Sequence, residues 1–109
     1  MVINYWAEWC KPCLEEIPEL NAFAAAYPER ALVVGVNYDG VTGDALSALM
    51  QRFEIAFEVI DDPAGKVGYA RPTVLPTTIV LAPDGAVAQT LIGPQTLDTL
   101  RQATSLETP

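Results

Sequence analysis

Apolar residues open the chain almost without a break in "MVINYWA" (1–7), a run too short for a helix and suited to a buried strand. From Lys11 the period changes. Cys13, Ile17, Leu20 and Ala24 recur at spacings of three and four, which predicts a helix running towards Tyr27. Pro18 lies inside it and is expected to kink it, because proline removes a backbone donor and crowds the preceding turn. "ALVVGVNY" (31–38) is nearly all apolar and predicts a second strand covered on both faces. Thr42 or Asp44 can cap a helix whose stripe is Leu46, Leu49, Met50 and Phe53, and "FEVI" (57–60) predicts a short strand. In "DDPAG", Asp62 as cap and Pro63 at the first helical position open a short helix to about Ala70. "TTIVLA" and "AVAQTLI" flank the turn "PDG" and predict an antiparallel hairpin. Pro94 to Thr96 start a last helix with Leu97, Leu100 and Ala103 inward, and "SLETP" is expected to fray.

Strands alternating with helices and ending in a hairpin predict an α/β fold. Its mixed sheet has parallel members joined by helical crossovers, an antiparallel pair at one edge, and helices on both faces. The 109 residues are one domain's worth, long enough to bury a core without crosslinks. Fourteen acids against six bases give a net charge of −8, which repels phosphate backbones and anionic lipid. Nucleic-acid binding and membrane contact by this domain are therefore not expected. No apolar stretch reaches the ~20 residues of a membrane span, since "AFAAAYPERALVVGV" is broken by Pro28, Glu29 and Arg30. No basic leader or cleavage pattern precedes Val2, and the chain starts inside a strand, so a signal or anchor is expected to lie outside these residues.

The chemistry concentrates in "WAEWCKPC" (6–13), which holds the only cysteines of a chain without histidine. A Cys10–Cys13 disulfide closes so short a loop that it is worth only ~2 kcal/mol, and it ties no two elements together. Zinc wants three or four protein ligands, and two thiols fall short. Two-coordinate Cu(I) is the metal reading that remains open, because soft thiolates suit it. The redox reading fits the local physics better. A cysteine at a helix N-terminus has its thiolate stabilised by the unpaired N–H groups and the positive dipole end. Lys11 adds a neighbouring cation, while Glu8, Glu15 and Glu16 oppose it. Pro12 stiffens the turn that sets the geometry of the two sulfurs. Cys10, first and more exposed, is then the attacking thiolate, with a pKa below the ~8.5 of a free thiol. Cys13, one turn in, resolves the mixed disulfide.

"VINYWAEWCKPC" with Pro18 in the following helix resembles thioredoxin, and "VLPTTIVLAPDG" is similar to the segment that carries the cis-proline of that fold. The stretch "TGDALSALMQRFEIAFEVIDDPAGKVGYARP" has no room in thioredoxin. This helix–strand insertion before the cis-proline resembles the TlpA/ResA-like branch, mostly extracytoplasmic thiol–disulfide reductases tethered to bacterial membranes, some serving cytochrome c maturation. The resemblance covers nearly the whole chain and implies one thioredoxin-like domain over residues 1–109. The strand or hairpin that usually precedes the active-site strand is missing. That leaves the edge beside "ALVVGVNY" open to pairing with another chain.

Thioredoxin carries a buried aspartate six residues before its first cysteine. Asn4 stands there and cannot take a proton, so it is expected to matter for stability more than for pH response. The acid of the branch falls at Glu16, on the same helix face as Cys13, and the resemblance makes it the acceptor of the Cys13 proton. Without the resemblance Glu16 reads as an ordinary exposed helix acid. Pro76 reads alone as a trans proline at a strand start. The resemblance implies a cis Leu75–Pro76 bond, where the backbone of Leu75 pairs with a substrate strand. Trp9, Lys11 and Pro12 complete that substrate surface, with Trp6 either part of its floor or, as expected, plain core.

The resulting reading is a thiol–disulfide oxidoreductase, a monomeric reductase of protein disulfides served by an upstream electron donor. Its redox group is the Cys10–Cys13 pair, with no further cofactor and no metal. The expected location is periplasmic or otherwise extracytoplasmic, with a cytoplasmic one left open. A Cu(I)-binding thioredoxin-like metallochaperone is the alternative. A thiol peroxidase is disfavoured, because the Pro and Thr/Ser pattern that precedes the cysteine of such enzymes is missing.

Overall fold

A computed structural model describes residues 1–27, 32–60 and 74–104. Its centre is a five-stranded mixed sheet built of β1 (Val2–Trp6), β2 (Val33–Asn37), β3 (Glu58–Ile60), β4 (Thr77–Leu81) and β5 (Val87–Ile92), in the order β3-β2-β1-β4-β5. The continuous apolar run of β1 is explained by its place: it is the middle strand, buried on both faces along its whole length. It runs parallel to β2, with Val2 beside Val33, and antiparallel to β4, with Tyr5 beside Thr77. The hairpin is present, with a register shift at Val80/Leu81.

Three helices are described: α1 (Lys11–Ala26), α2 (Gly43–Arg52) and α3 (Leu97–Thr104). Helix α1 runs unbroken through Pro18, which faces solvent. The helix expected from Asp62 to Ala70 lies outside the described residues, as does "SLETP".

The sheet separates two apolar clusters. Val2, Trp6 and Val33 join Cys13, Ile17, Leu20 and Phe23 of α1, Leu46 of α2 and Leu100 of α3 in the larger one. Ile3, Tyr5, Val36 and Ile79 form the smaller on the opposite side. Trp6, wholly buried, is core, as expected. Its indole lies over Gly35, where a Cβ would come within 3.2 Å of Trp6 Nε1 and 2.8 Å of the Phe57 ring. Glycine is required there because the strand passes directly under two aromatic rings.

The open edge beside β2 is corrected by the fold. The insertion supplies β3, which pairs parallel with β2 through Val34–Glu58, Gly35–Val59 and Val36–Ile60. Asn21 of α1 anchors the turn before it, donating to Glu54 O (2.8 Å) and accepting from Ala56 N–H (2.9 Å). The segment the sequence marks as an insertion thus covers the strand it would otherwise leave bare.

Candidate active site

The site forms where β1 ends and α1 begins. Cys10 is the N-cap of α1, in an extended backbone conformation, and its Sγ accepts from Cys13 N–H at 3.2 Å. Capping by a sulfur aims the first-turn N–H groups at Cys10, the electrostatic setting that favours a thiolate. The two cysteines are joined as a disulfide, with Cα atoms 5.3 Å apart. Cys10 remains slightly accessible at 5 %, against 1 % for Cys13, the order that attack by the first cysteine requires. Lys11 and Pro12 are exposed at the first and second helical positions. The Lys11 ammonium stands 4.0 Å from Glu15, a surface pair of small energetic weight.

Glu16 is not an exposed helix acid. It is 1 % exposed, and both its oxygens are engaged: Asn4 Nδ2 donates to Oε1 at 2.9 Å and Gln95 N–H to Oε2 at 2.6 Å. Burial pushes its carboxyl up from 4.5 to about 7, against the opposing pull of the Gln95 and Asn4 hydrogen bonds. Its helical position puts it one turn beyond Cys13, on the same face. Asn4 Nδ2 also donates to Thr78 Oγ1 at 3.1 Å, tying β1, α1 and β4 together through one amide. A turn further on, Glu19 accepts from Leu97 N–H at 3.2 Å, so two carboxylates of α1 hold the approach to α3.

The antiparallel register, Tyr5 beside Thr77, brings Pro76 to the end of β1 from which the chain leaves for Cys10. The Leu75–Pro76 peptide bond is cis. Pro76 is buried, Val74 is half exposed, and Leu75 packs against the cluster that contains both cysteines. Thr77 Oγ1 donates to Val74 O and Gly93 N–H to Pro76 O, which fix this turn from both sides.

Trp9 is 63 % exposed, an unusual place for an indole unless something recognises it. It is also held. Trp9 Nε1 donates to Asp39 Oδ2 at 2.8 Å. The β2–α2 loop presents that carboxylate, with Asn37 Oδ1 accepting from the N–H groups of Asp39 and Val41 and Gly40 turning at φ 72°.

The structure therefore gathers Cys10, Cys13, Glu16, Trp9, Lys11, Pro12, Leu75 and Pro76 at one end of the sheet. Asp39, Thr78 and Gln95 were missed from the sequence, and Asn4 is expected there to matter for stability more than for pH response. "NYDG" after a parallel strand was a usable signal for Asp39, since loops at the carboxyl ends of parallel strands build sites in α/β folds. Nothing local marks Gln95, which contributes through its backbone. Among the described residues no group of three or more histidine, cysteine, aspartate or glutamate side chains could hold a metal ion.

Comparison with known proteins places this geometry. The thiol–disulfide oxidoreductase ResA of Bacillus thuringiensis is 29 % identical over 98 % of this chain and 62 % of its own length. The chain thus spans about three-fifths of that curated relative. A DsbF homologue from Corynebacterium diphtheriae superposes with a TM-score of 0.79 at 28 % identity, over 95 % of this chain and 69 % of that one. A secreted thiol–disulfide isomerase from Corynebacterium glutamicum gives a TM-score of 0.77 at 25 % identity, over 94 % and 66 %. The AhpC/TSA family model matches residues 1–90, the span from β1 into β5 that holds the dithiol, Glu16 and Pro76, and the chain belongs to that family, with the thioredoxin-like fold and ResA-type relatives.

Proposed function

We propose that this chain is a thiol–disulfide oxidoreductase that reduces disulfides in protein substrates. The observation that carries the reading is a dithiol at the N-cap of α1 with a buried carboxyl one turn beyond its second cysteine. The names of its relatives point the same way.

In the reduced protein the Cys10 thiolate attacks one sulfur of the substrate disulfide. A Cys10–substrate S–S bond forms and the other substrate sulfur leaves as a thiolate, which takes a proton from water. Cys13 S–H then passes its proton to the Glu16 carboxylate. The Cys13 thiolate attacks Cys10 Sγ, the Cys10–Cys13 bond of this structure forms, and the second substrate thiolate is released. Two electrons have gone from the dithiol to the substrate, and a dithiol donor upstream restores the pair. A carboxyl that titrates near 7 can accept and return that proton at neutral pH, which an ordinary glutamate cannot do as readily.

The substrate strand pairs with the backbone of Leu75, beside Pro76, with Trp9 as apolar wall and Lys11 and Pro12 at the rim. Residues 1–109 act as one thioredoxin-like domain, a monomer that needs no cofactor beyond the two sulfurs. The location is periplasmic or otherwise extracytoplasmic, a reading supported by the secreted relative, and cytochrome c maturation is the process the ResA-type resemblance implies. The test is Cys13→Ser, incubated reduced with an oxidised protein substrate. A mixed disulfide at Cys10 should accumulate, and the unmodified dithiol should turn the same substrate over. Absence of any trapped species, with stoichiometric Cu(I) uptake by the native dithiol, would replace this reading by the metallochaperone.

A further inference from the structure

The hydrogen bonds around Glu16 favour one of its two protonation states. Oε1 faces the Asn4 amide and Oε2 faces the Gln95 N–H, so an ionised carboxylate, which can only accept, is served on both sides. A protonated Glu16 must donate from one oxygen, and each oxygen already faces one donor, Asn4 Nδ2 on Oε1 and the Gln95 N–H on Oε2. Glu16, Asn4 and Thr78 are each at most 1 % exposed, so water does not relieve the mismatch from the surface.

The two donors differ in what they can become. Gln95 contributes a backbone N–H, which never accepts. Its loop is held on one side by Gly93 N–H to Pro76 O (2.9 Å) and on the other by Leu97 N–H to Glu19 (3.2 Å). Asn4 contributes a side-chain amide, whose donor and acceptor ends exchange places on half a turn about Cβ–Cγ with almost no change of shape. Thr78 is equally compliant. Its hydroxyl now accepts from Asn4 Nδ2, and by rotating it donates to Oδ1 instead.

We infer that Asn4 is the positioning residue of the proton relay: its amide offers Nδ2 to the ionised Glu16 and turns over to offer Oδ1 to the protonated acid, with the Thr78 hydroxyl following. The inference rests on Glu16 being the acid–base group proposed above. It also gives a physical reason for asparagine at residue 4. An aspartate would set a second carboxylate against Glu16, and an apolar side chain would leave Oε1 without a donor. In the oxidised protein the other titratable neighbours leave this pair undisturbed. Cys10 and Cys13 are locked in the disulfide, Glu15 is exposed beside Lys11, and Glu19 is engaged with Leu97. Strand β4 carries no titratable side chain, the only one of β1 is Tyr5 on the opposite face, and Asp98 and Arg101 of α3 pair with each other.

The test follows the oxidised protein by NMR from pH 4 to 9, observing the Glu16 carboxyl carbon and the Asn4 side-chain amide together. The Asn4 resonances should titrate with the midpoint of Glu16 and lose that titration in Glu16→Gln. In Asn4→Leu the ionised acid loses a donor, so the Glu16 midpoint should rise by about one pH unit, a tenfold gain in proton affinity. The pH profile of Cys13 resolution should move with it. A purely structural asparagine would lower stability and leave that midpoint in place. An Asn4 amide that ignores the Glu16 titration overturns the inference while leaving the relay intact, and this measurement on the native chain holds even if Asn4→Leu does not fold. A Glu16 carboxyl that does not titrate between pH 5 and 9 removes the relay itself.

Discussion

Replacing Glu16 by glutamine should abolish one specific pH dependence of stability. In the native protein the carboxyl binds its proton more tightly than in the unfolded chain, because burial lifts it from 4.5 to about 7. Between those values the folded state holds more protons than the unfolded one, so stability falls as pH rises through that window and levels off above it. At about 1.4 kcal/mol per pH unit the full effect is roughly 3 kcal/mol, a large share of the ~5–15 kcal/mol that holds a domain of this size. Other groups also titrate there, so the quantity to measure is the difference between native and Glu16→Gln. Urea unfolding of both proteins, oxidised so that the disulfide is constant, should be run at half-unit steps from pH 4 to 8. The glutamine variant should gain on the native protein by roughly 3 kcal/mol from the acid to the alkaline end, around a constant offset from altered hydrogen bonding. A difference that stays flat across the range would mean that Glu16 is neither desolvated nor coupled to folding as its burial demands. The relay would then lose its physical basis.

Two further outcomes follow from contacts near the site. Asp39→Ala removes the acceptor that holds the exposed Trp9 indole. Losing a net ~1 kcal/mol of positioning should raise KM for a peptide disulfide about fivefold with kcat little changed, and should shift the Trp9 fluorescence; equal effects on KM and kcat would refute a positioning role. Gly35→Ala puts a methyl group 2.8 Å from the Phe57 ring and 3.2 Å from Trp6 Nε1. Overpacking of that kind should cost ~1–3 kcal/mol in denaturant unfolding, and a neutral result would show that the aromatic pair yields freely.

Several features of this protein are determined by sequence-local physics. A strand buried on both faces reads as an unbroken apolar run, as "MVINYWA" does, and a helix presenting one stripe reads with Cys13, Ile17 and Leu20 in step. Cys10 caps α1 and Cys13 lies one turn in because helix geometry alone places residues three apart on one face. Chemistry carried by two residues at such spacing is legible without a fold. The family resemblance extended that reach to Pro76, whose turn meets the end of β1 only through the pairing of β4 with β1, residues more than seventy positions apart.

What tertiary structure alone decided is the state of Glu16. Its sequence neighbours Glu15 and Glu19 are the same residue type on the same helix; spacing puts Glu16 on the face of Cys13 and Leu20, but nothing local says how completely a carboxyl there will lose its water. Burial follows from β1 and the turn before α3 closing over one face of α1, and both its partners are distant in the chain. The same holds for Asp39, which reaches Trp9 across thirty positions, and for β3, which covers an edge the sequence reading left open. Hydrogen-bond complementarity and desolvation depend on which groups surround an atom in space. A linear pattern encodes only which face an atom takes, so the dithiol is legible along the chain, whereas the burial and the hydrogen-bond partners of Glu16 are visible only in the fold.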